Sequence, residues 1–121
     1  MNGKEFDLEE RLLDYAVRVI RLTEALPRTT TGCHIRGQLV RSGTSPAPNY
    51  GEAQSAESCT DFVHKLKIAL KELRESKAWL KIVRHAELVR PVENLDPLIQ
   101  ETDELIAIFV ASTKTAAKKR S

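Results

Sequence analysis

Five prolines divide this 121-residue chain, and their placement constrains its fold more than any other feature. A proline in a helix interior removes a backbone hydrogen bond and costs roughly 3 kcal/mol, so proline-free runs mark where helices can stand. Pro27 ends a first run, Pro91 closes a link, and Pro97 falls within the first turn of a last helix, where no N–H is missed. Only Pro46 and Pro48 sit inside a run with helical spacing on both sides. The residues beyond them, Asn49 to Ala56, resume that spacing, so the stretch reads as one helix kinked at Pro46/Pro48.

Four helices result, over about 5–26, 31–57, 59–87 and 94–113, within a single domain spanning 1–121. No strand pattern competes. Short links between amphipathic helices specify an all-α, up-down-up-down four-helix bundle. Thr30 or Thr31 is expected to cap the second helix and Ser58 the third, with Asp61 completing an S-x-x-D start. Gly37, Gly43, Ala47 and Gly51 give the second helix a small-residue side that lets another helix come close. Beyond Thr113 the apolar pattern is lost, so the basic tail over 114–121 is expected to fray.

The first helix carries more apolar surface than a bundle core needs. Phe6, Leu13, Ala16, Val17 and Ile20 form one stripe, and Leu8, Leu12, Tyr15, Val19 and Leu22 form a second beside it, extended by Leu26. A surface helix needs one apolar face of about 100°, and each large side chain left in water forgoes roughly 1.5–3 kcal/mol. The second stripe is therefore the candidate subunit interface. The third helix has a core stripe of Phe62, Leu66, Ala69, Leu70, Leu73, Leu80 and Val83. Ile68, Trp79 and Ile82 lie on another side and are further interface candidates. Its third face holds Lys67, Lys71, Arg74, Lys81 and His85 with no acid among them.

Charge is unevenly spread behind the net +2: residues 27–90 carry eleven basic and six acidic groups, and residues 91–113 none and five. A basic face is ordinarily just solvated. Its functional reading is a phosphate-contacting surface, in which lysines and arginines displace counterions and bind nucleic acid with little sequence preference. Arg36 and Arg41 on the second helix and the Lys118-Lys119-Arg120 tail are candidates to extend it.

Catalysis has little to work with. His34, His64 and His85 are separated, no Glu-x-x-His pair faces a core, and neither a GxSxG elbow nor a glycine-rich phosphate loop occurs. The expectation is a non-enzyme with no metal, no cofactor and no small-molecule substrate. Cys33 and Cys59 belong to no CxxC or Cys/His cluster and read as reduced thiols. The acidic opening lacks an apolar leader, and the longest apolar run, Leu105 to Ala111, is far short of the roughly 20 residues of a membrane span. A cytoplasmic protein without membrane contact is expected.

The run GQLVRSGTSPAPNYGEAQSAESCTDFVHKLKIALKELRESKAWLKIV resembles the signature of the four-helix-bundle proteins named for 23S rRNA intervening sequences. A basic, QL-containing helix leads into the Ser/Pro/Asn/Glu segment Ser42 to Glu52. A helix with an F-x-x-x-L-x-I-A core follows, here Phe62, Leu66, Ile68 and Ala69. Asn49 and Glu52 match the family pattern, whereas the second proline and Tyr50 depart from its commoner form. The resemblance implies a subunit of a ring, typically a homopentamer, without known catalytic activity. More distantly the chain is similar to the accessory variability determinant of diversity-generating retroelements, a pentameric bundle that works with a reverse transcriptase. The expected function is non-enzymatic binding of RNA or a nucleic-acid-bound protein through Arg36, Arg41, Lys67, Lys71, Arg74 and Lys81. The alternative is a protein-interaction scaffold or retroelement accessory.

Overall fold

In the computed structural model, which describes residues 7–120, every regular element is helical. Helix α1 spans Leu8–Glu24, α2 Thr30–Thr44, α3 Pro46–Gln54, α4 Cys59–His85 and α5 Asp96–Arg120, the last led in by a 3-10 turn at Val92–Leu95. Ser45, between α2 and α3, keeps helical angles of φ −70° and ψ −34°. Its N–H bonds Arg41 O at 3.1 Å and its carbonyl accepts from Asn49 N at 3.2 Å. The two prolines thus remove N–H donors without diverting the chain from a helical path. Asn49 Nδ2 braces the junction, donating to both Ser45 O and Ser45 Oγ at 3.0 Å. Together α2 and α3 make one arm of a four-helix bundle.

Neighbouring arms run antiparallel. Along α4 and α5, Arg84 meets Asp96, Lys77 meets Asp103, and Cys59 reaches Ala116. Along the second arm and α4, Ser42 meets Ser76 and Glu52 meets Lys65. Helix α4 packs on α5, α2 and α3, while α1 packs on α2, α3 and α5, so α1 and α4 stand at opposite corners. The core between them includes Leu12, Val19, Leu39, Leu66, Leu73, Leu80, Leu105 and Phe109.

Midway along the bundle, each arm contributes one hydroxyl to a buried belt. Tyr15, Ser42, Ser76 and Thr102 are each 0% exposed. Thr102 Oγ1 donates to Leu98 O at 2.8 Å, which leaves Tyr15 as the donor in its 2.7 Å bond to Thr102 Oγ1. Ser76 Oγ donates to Ser42 Oγ at 2.9 Å. Burial pushes the Tyr15 phenol above its ordinary 10.0, and the hydrogen bond to Thr102 offsets part of that rise. A buried hydroxyl stranded without a partner costs about 1–3 kcal/mol, so the belt penalises any slip of one helix against another.

Helix α4 ends in a Schellman arrangement. Glu87 adopts φ 54°, Leu88 N–H reaches Val83 O at 3.0 Å, and Glu87 N–H reaches Arg84 O at 3.1 Å. Ser58 caps the start of α4 as expected, accepting from Asp61 N at 3.0 Å. The cap of α2 is Thr29, one residue before the expected pair, and accepts from Gly32 N at 3.0 Å.

On α1 the two apolar stripes exchange roles. Leu12, Tyr15 and Val19 are at most 1% exposed, and Leu8 and Leu22 are half-buried against them, so the stripe assigned to a subunit contact is core. Leu13, Val17 and Ile20, 40–47% exposed, face outward, and Phe6 lies outside the described residues. Two features of the partner helices decide this. A Cβ at Gly43 would meet Val19 Cγ1 at 2.7 Å, so α2 accepts the Val19 side at close range. Tyr15 Oη also finds Thr102 only on that face. Of the other small residues, Ala47 is buried, but Gly37 and Gly51 have nothing within 4 Å of an added Cβ.

Two further expectations are revised. Trp79 and Ile68 are half-buried within the subunit, Trp79 packing edge-on to His34 at 5.8 Å and donating Nε1–H to Glu75 at 3.1 Å; of that trio only Ile82, 46% exposed, stands well into solvent. The basic tail does not fray at Thr113, because Thr113 and Ala116 continue the buried stripe of α5 against the start of α4. Cys59 Sγ–H donates to Ala116 O at 3.4 Å there.

Close approach at Gly43 makes it the position most sensitive to one methyl group. Gly43→Ala gains about 1 kcal/mol of helix propensity but forces Val19, a stiff β-branched neighbour, to move. The expected net loss is about 1–3 kcal/mol, read as a lower urea midpoint at unchanged m-value.

Candidate nucleic-acid interface

Lys67, Lys71, Arg74 and Lys81 recur at helical spacing on α4, and all four are exposed. At 1.5 Å per residue they extend along about 21 Å of the helix. None forms an ion pair among the described residues. The acids of α5 are held elsewhere: Glu101 and Glu104 take Arg11 at 2.7 and 3.2 Å, Asp103 takes Lys77 at 2.6 Å, and Asp96 takes Arg84 at 2.7 Å. Arg84 accordingly holds the Asp96 carboxyl below its ordinary value. The acidic balance of α5 therefore does not neutralise the basic face of α4.

Beside this face a groove of about 360 Å³ runs between α4 and α5, lined by Lys67, Leu70, Lys71, Arg74 and Thr113. Antiparallel packing sets Lys67 and Thr113 at one level. Thr113 is absent from the sequence-level candidates. The signal for it was the three-and-four spacing of α5, which passes from Phe109 to Thr113 and on to Ala116 without a break.

Arg36 and Arg41 are both taken up by partners within the subunit, Arg36 half-buried and Arg41 exposed. The Arg36 guanidinium donates from Nε to Thr23 O at 3.2 Å and from Nη2 to Leu26 O at 3.1 Å, closing the carbonyl end of α1. Arg41 is held by Glu72 at 2.8 Å, by Glu75, and by Gln38 Oε1 at 3.1 Å. Their charge is spent inside the subunit, on carbonyls in one case and two carboxylates in the other. From the sequence, Glu52 and Glu72 are candidate partners for Arg36, Arg41 or Lys65 with no basis for choosing; the structure pairs Glu72 with Arg41 and Glu52 with Lys65, and gives Arg36 to carbonyls instead.

A larger groove, about 720 Å³, lies between the start of α4 and the last turns of α5, with Cys59, Phe62, Ala116 and Lys119 among its walls. Its one thiol, Cys59, donates to the Ala116 carbonyl, and Glu57 and Lys119 also line the groove. Among the described residues no three His, Cys, Asp or Glu side chains converge to hold a metal, and both cysteines are free. No helix among them is long and apolar enough to cross a membrane.

Residues 4–111 match the family described as 23S rRNA-intervening sequence protein. The chain belongs to that family. Among solved structures it is similar to a protein of unknown function from the S23 ribosomal protein family of Bacteroides thetaiotaomicron. That likeness has 31% identity and a TM-score of 0.80, and covers 88% of this chain and 97% of the other. None of the curated proteins compared with it matches. In this family member the four α4 cations stand exposed without ion pairs among the described residues, Arg41 is exposed but paired with Glu72 and Glu75, and Arg36 closes the end of α1.

That division has a measurable consequence. Arg36→Ala leaves two helix-end carbonyls without their charged donor and is expected to destabilise the fold by about 1–3 kcal/mol in chemical denaturation. Lys71→Ala, at an exposed position with no ion pair among the described residues, is expected to stay within about 0.5 kcal/mol of the parent.

Proposed function

We propose that this protein acts by binding rather than catalysis, and that it binds RNA through the exposed face of α4. The observation that carries the reading is the set Lys67, Lys71, Arg74 and Lys81, aligned on one face and without ion pairs among the described residues, while the neighbouring acids of α5 are paired elsewhere. The family description, which refers to an intervening sequence of 23S rRNA, supports RNA as the nucleic acid and the cytoplasm as the place. No aromatic platform lies among the four cations, so contacts go to phosphates and sequence preference is weak.

Self-association fits the apolar surface. Leu13, Val17 and Ile20 on α1 and Ile82 on α4 are exposed at opposite corners of the bundle. Two different patches on opposite sides favour a head-to-tail contact, which closes into a ring when the rotation allows. A homopentamer of this kind repeats the basic face around its circumference and raises avidity. Val17→Arg is expected to shift the protein to monomers in sedimentation velocity with helical content retained. An assembly that survives this change places the contact elsewhere.

The binding test is fluorescence anisotropy of a structured ribosomal RNA fragment across a salt series. Four phosphate contacts give a log–log slope of about −3, or roughly 50-fold weaker binding between about 50 and about 200 mM salt. Reversing Lys67, Lys71, Arg74 and Lys81 to Glu is expected to abolish binding at every salt concentration. Undiminished affinity in that variant would sink the surface. If instead a protein partner is captured without salt dependence and lost in Ile82→Ala, the protein-scaffold reading takes its place.

A further inference from the structure

Thr113 differs from other threonines of this bundle. Thr23, Thr44 and Thr102 each turn the hydroxyl back onto a carbonyl three or four residues earlier, at Ile20, Val40 and Leu98. Thr113 also sits inside a helix, with the Phe109 carbonyl one turn behind it, yet its Oγ1 is buried and has no hydrogen-bond partner. The residue is 9% exposed and forms part of the wall of the 360 Å³ groove, against Leu70 and below Lys67, Lys71 and Arg74. An unpaired buried hydroxyl is a cost that folding alone gives no reason to keep.

The geometry points to a phosphate subsite in this groove, in which Thr113 donates its hydroxyl to an oxygen of one strand phosphate drawn there by the positive field of Lys67, Lys71 and Arg74. This rests on the RNA-binding reading above and assigns one backbone phosphate to a defined place on the surface. The three cations supply attraction from one helix, and the hydroxyl supplies a directed hydrogen bond from the other. Leu70 forms the apolar part of the wall between them. Threonine in a helix has two accessible χ1 wells, so a side-chain rotation turns the buried hydroxyl toward the groove that the exposed Lys67 and Lys71 also line. A single phosphodiester of a strand and a free phosphate share this chemistry.

The test compares Thr113→Val, which keeps the volume and removes the hydroxyl, with Thr113→Ser, which keeps the hydroxyl. Both are read with the ribosomal RNA fragment at fixed salt and across the salt series. A hydrogen bond to a charged group corresponds to roughly a ten-fold loss of affinity in Thr113→Val. The salt slope is expected to stay unchanged because no charge is removed, and Thr113→Ser is expected to bind within about three-fold of the parent. Thermal melting of Thr113→Val is expected at or above the parent temperature, since an unsatisfied group has been deleted, and this excludes misfolding as the cause. Unchanged RNA affinity in Thr113→Val, with binding still lost on reversing the four cations, overturns the subsite and leaves the RNA reading standing. Full binding by Thr113→Val and also by the variant with all four cations reversed overturns the subsite and the RNA reading together. Inorganic phosphate is the second probe: displacement of RNA from the parent at millimolar phosphate, but not from Thr113→Val, assigns the groove to free phosphate as well as to the strand.

Discussion

The buried hydroxyls of Tyr15, Ser42, Ser76 and Thr102 set the register on which the rest of the bundle depends. Apolar packing is permissive: leucine stripes slide by a turn and still find leucines. Hydroxyls at 0% exposure are not, because a one-turn shift separates each from its partner in a medium with no water to replace it. With register fixed, Asp103 arrives at Lys77 and Glu101 at Arg11, and Thr113 comes level with Lys67. The basic face is thus a product of the core as much as of the surface composition.

Much of this was legible beforehand. Helix number, the positions of the links, the cap at Ser58 and most of the α4 core followed from proline placement and three-and-four spacing, which are local properties. The apolar stripes of α1 were misassigned because they adjoin on the helical wheel and have similar composition. The choice between them was made by Gly43 and Thr102, residues on other helices. The tail was misjudged for a related reason. Its helix continues because Ala116 is buried against the start of α4, and alanine registers weakly in any apolar pattern.

Within the basic surface the division was equally non-local. Lys67, Lys71, Arg74 and Lys81 are a single-helix pattern and remain together in three dimensions. Arg36 and Arg41 were withdrawn by Thr23, Leu26, Glu72 and Glu75, partners between 10 and 34 positions away. Charge counted along a chain overstates what a partner meets, since ion pairs and helix ends consume part of it first.

The open space around Gly37 and Gly51 bears on how the chain reaches this state. Four of the five glycines and two of the five prolines fall between residues 30 and 54, so the second arm has poor intrinsic helicity along its whole length. Helices α4 and α5, long, joined by a short link and nearly free of both residue types, form a hairpin from contacts close in sequence. Intrinsic helicity and contacts close in sequence therefore both favour the α4–α5 hairpin over the second arm as an early structure, and the second arm depends on docking for its helicity.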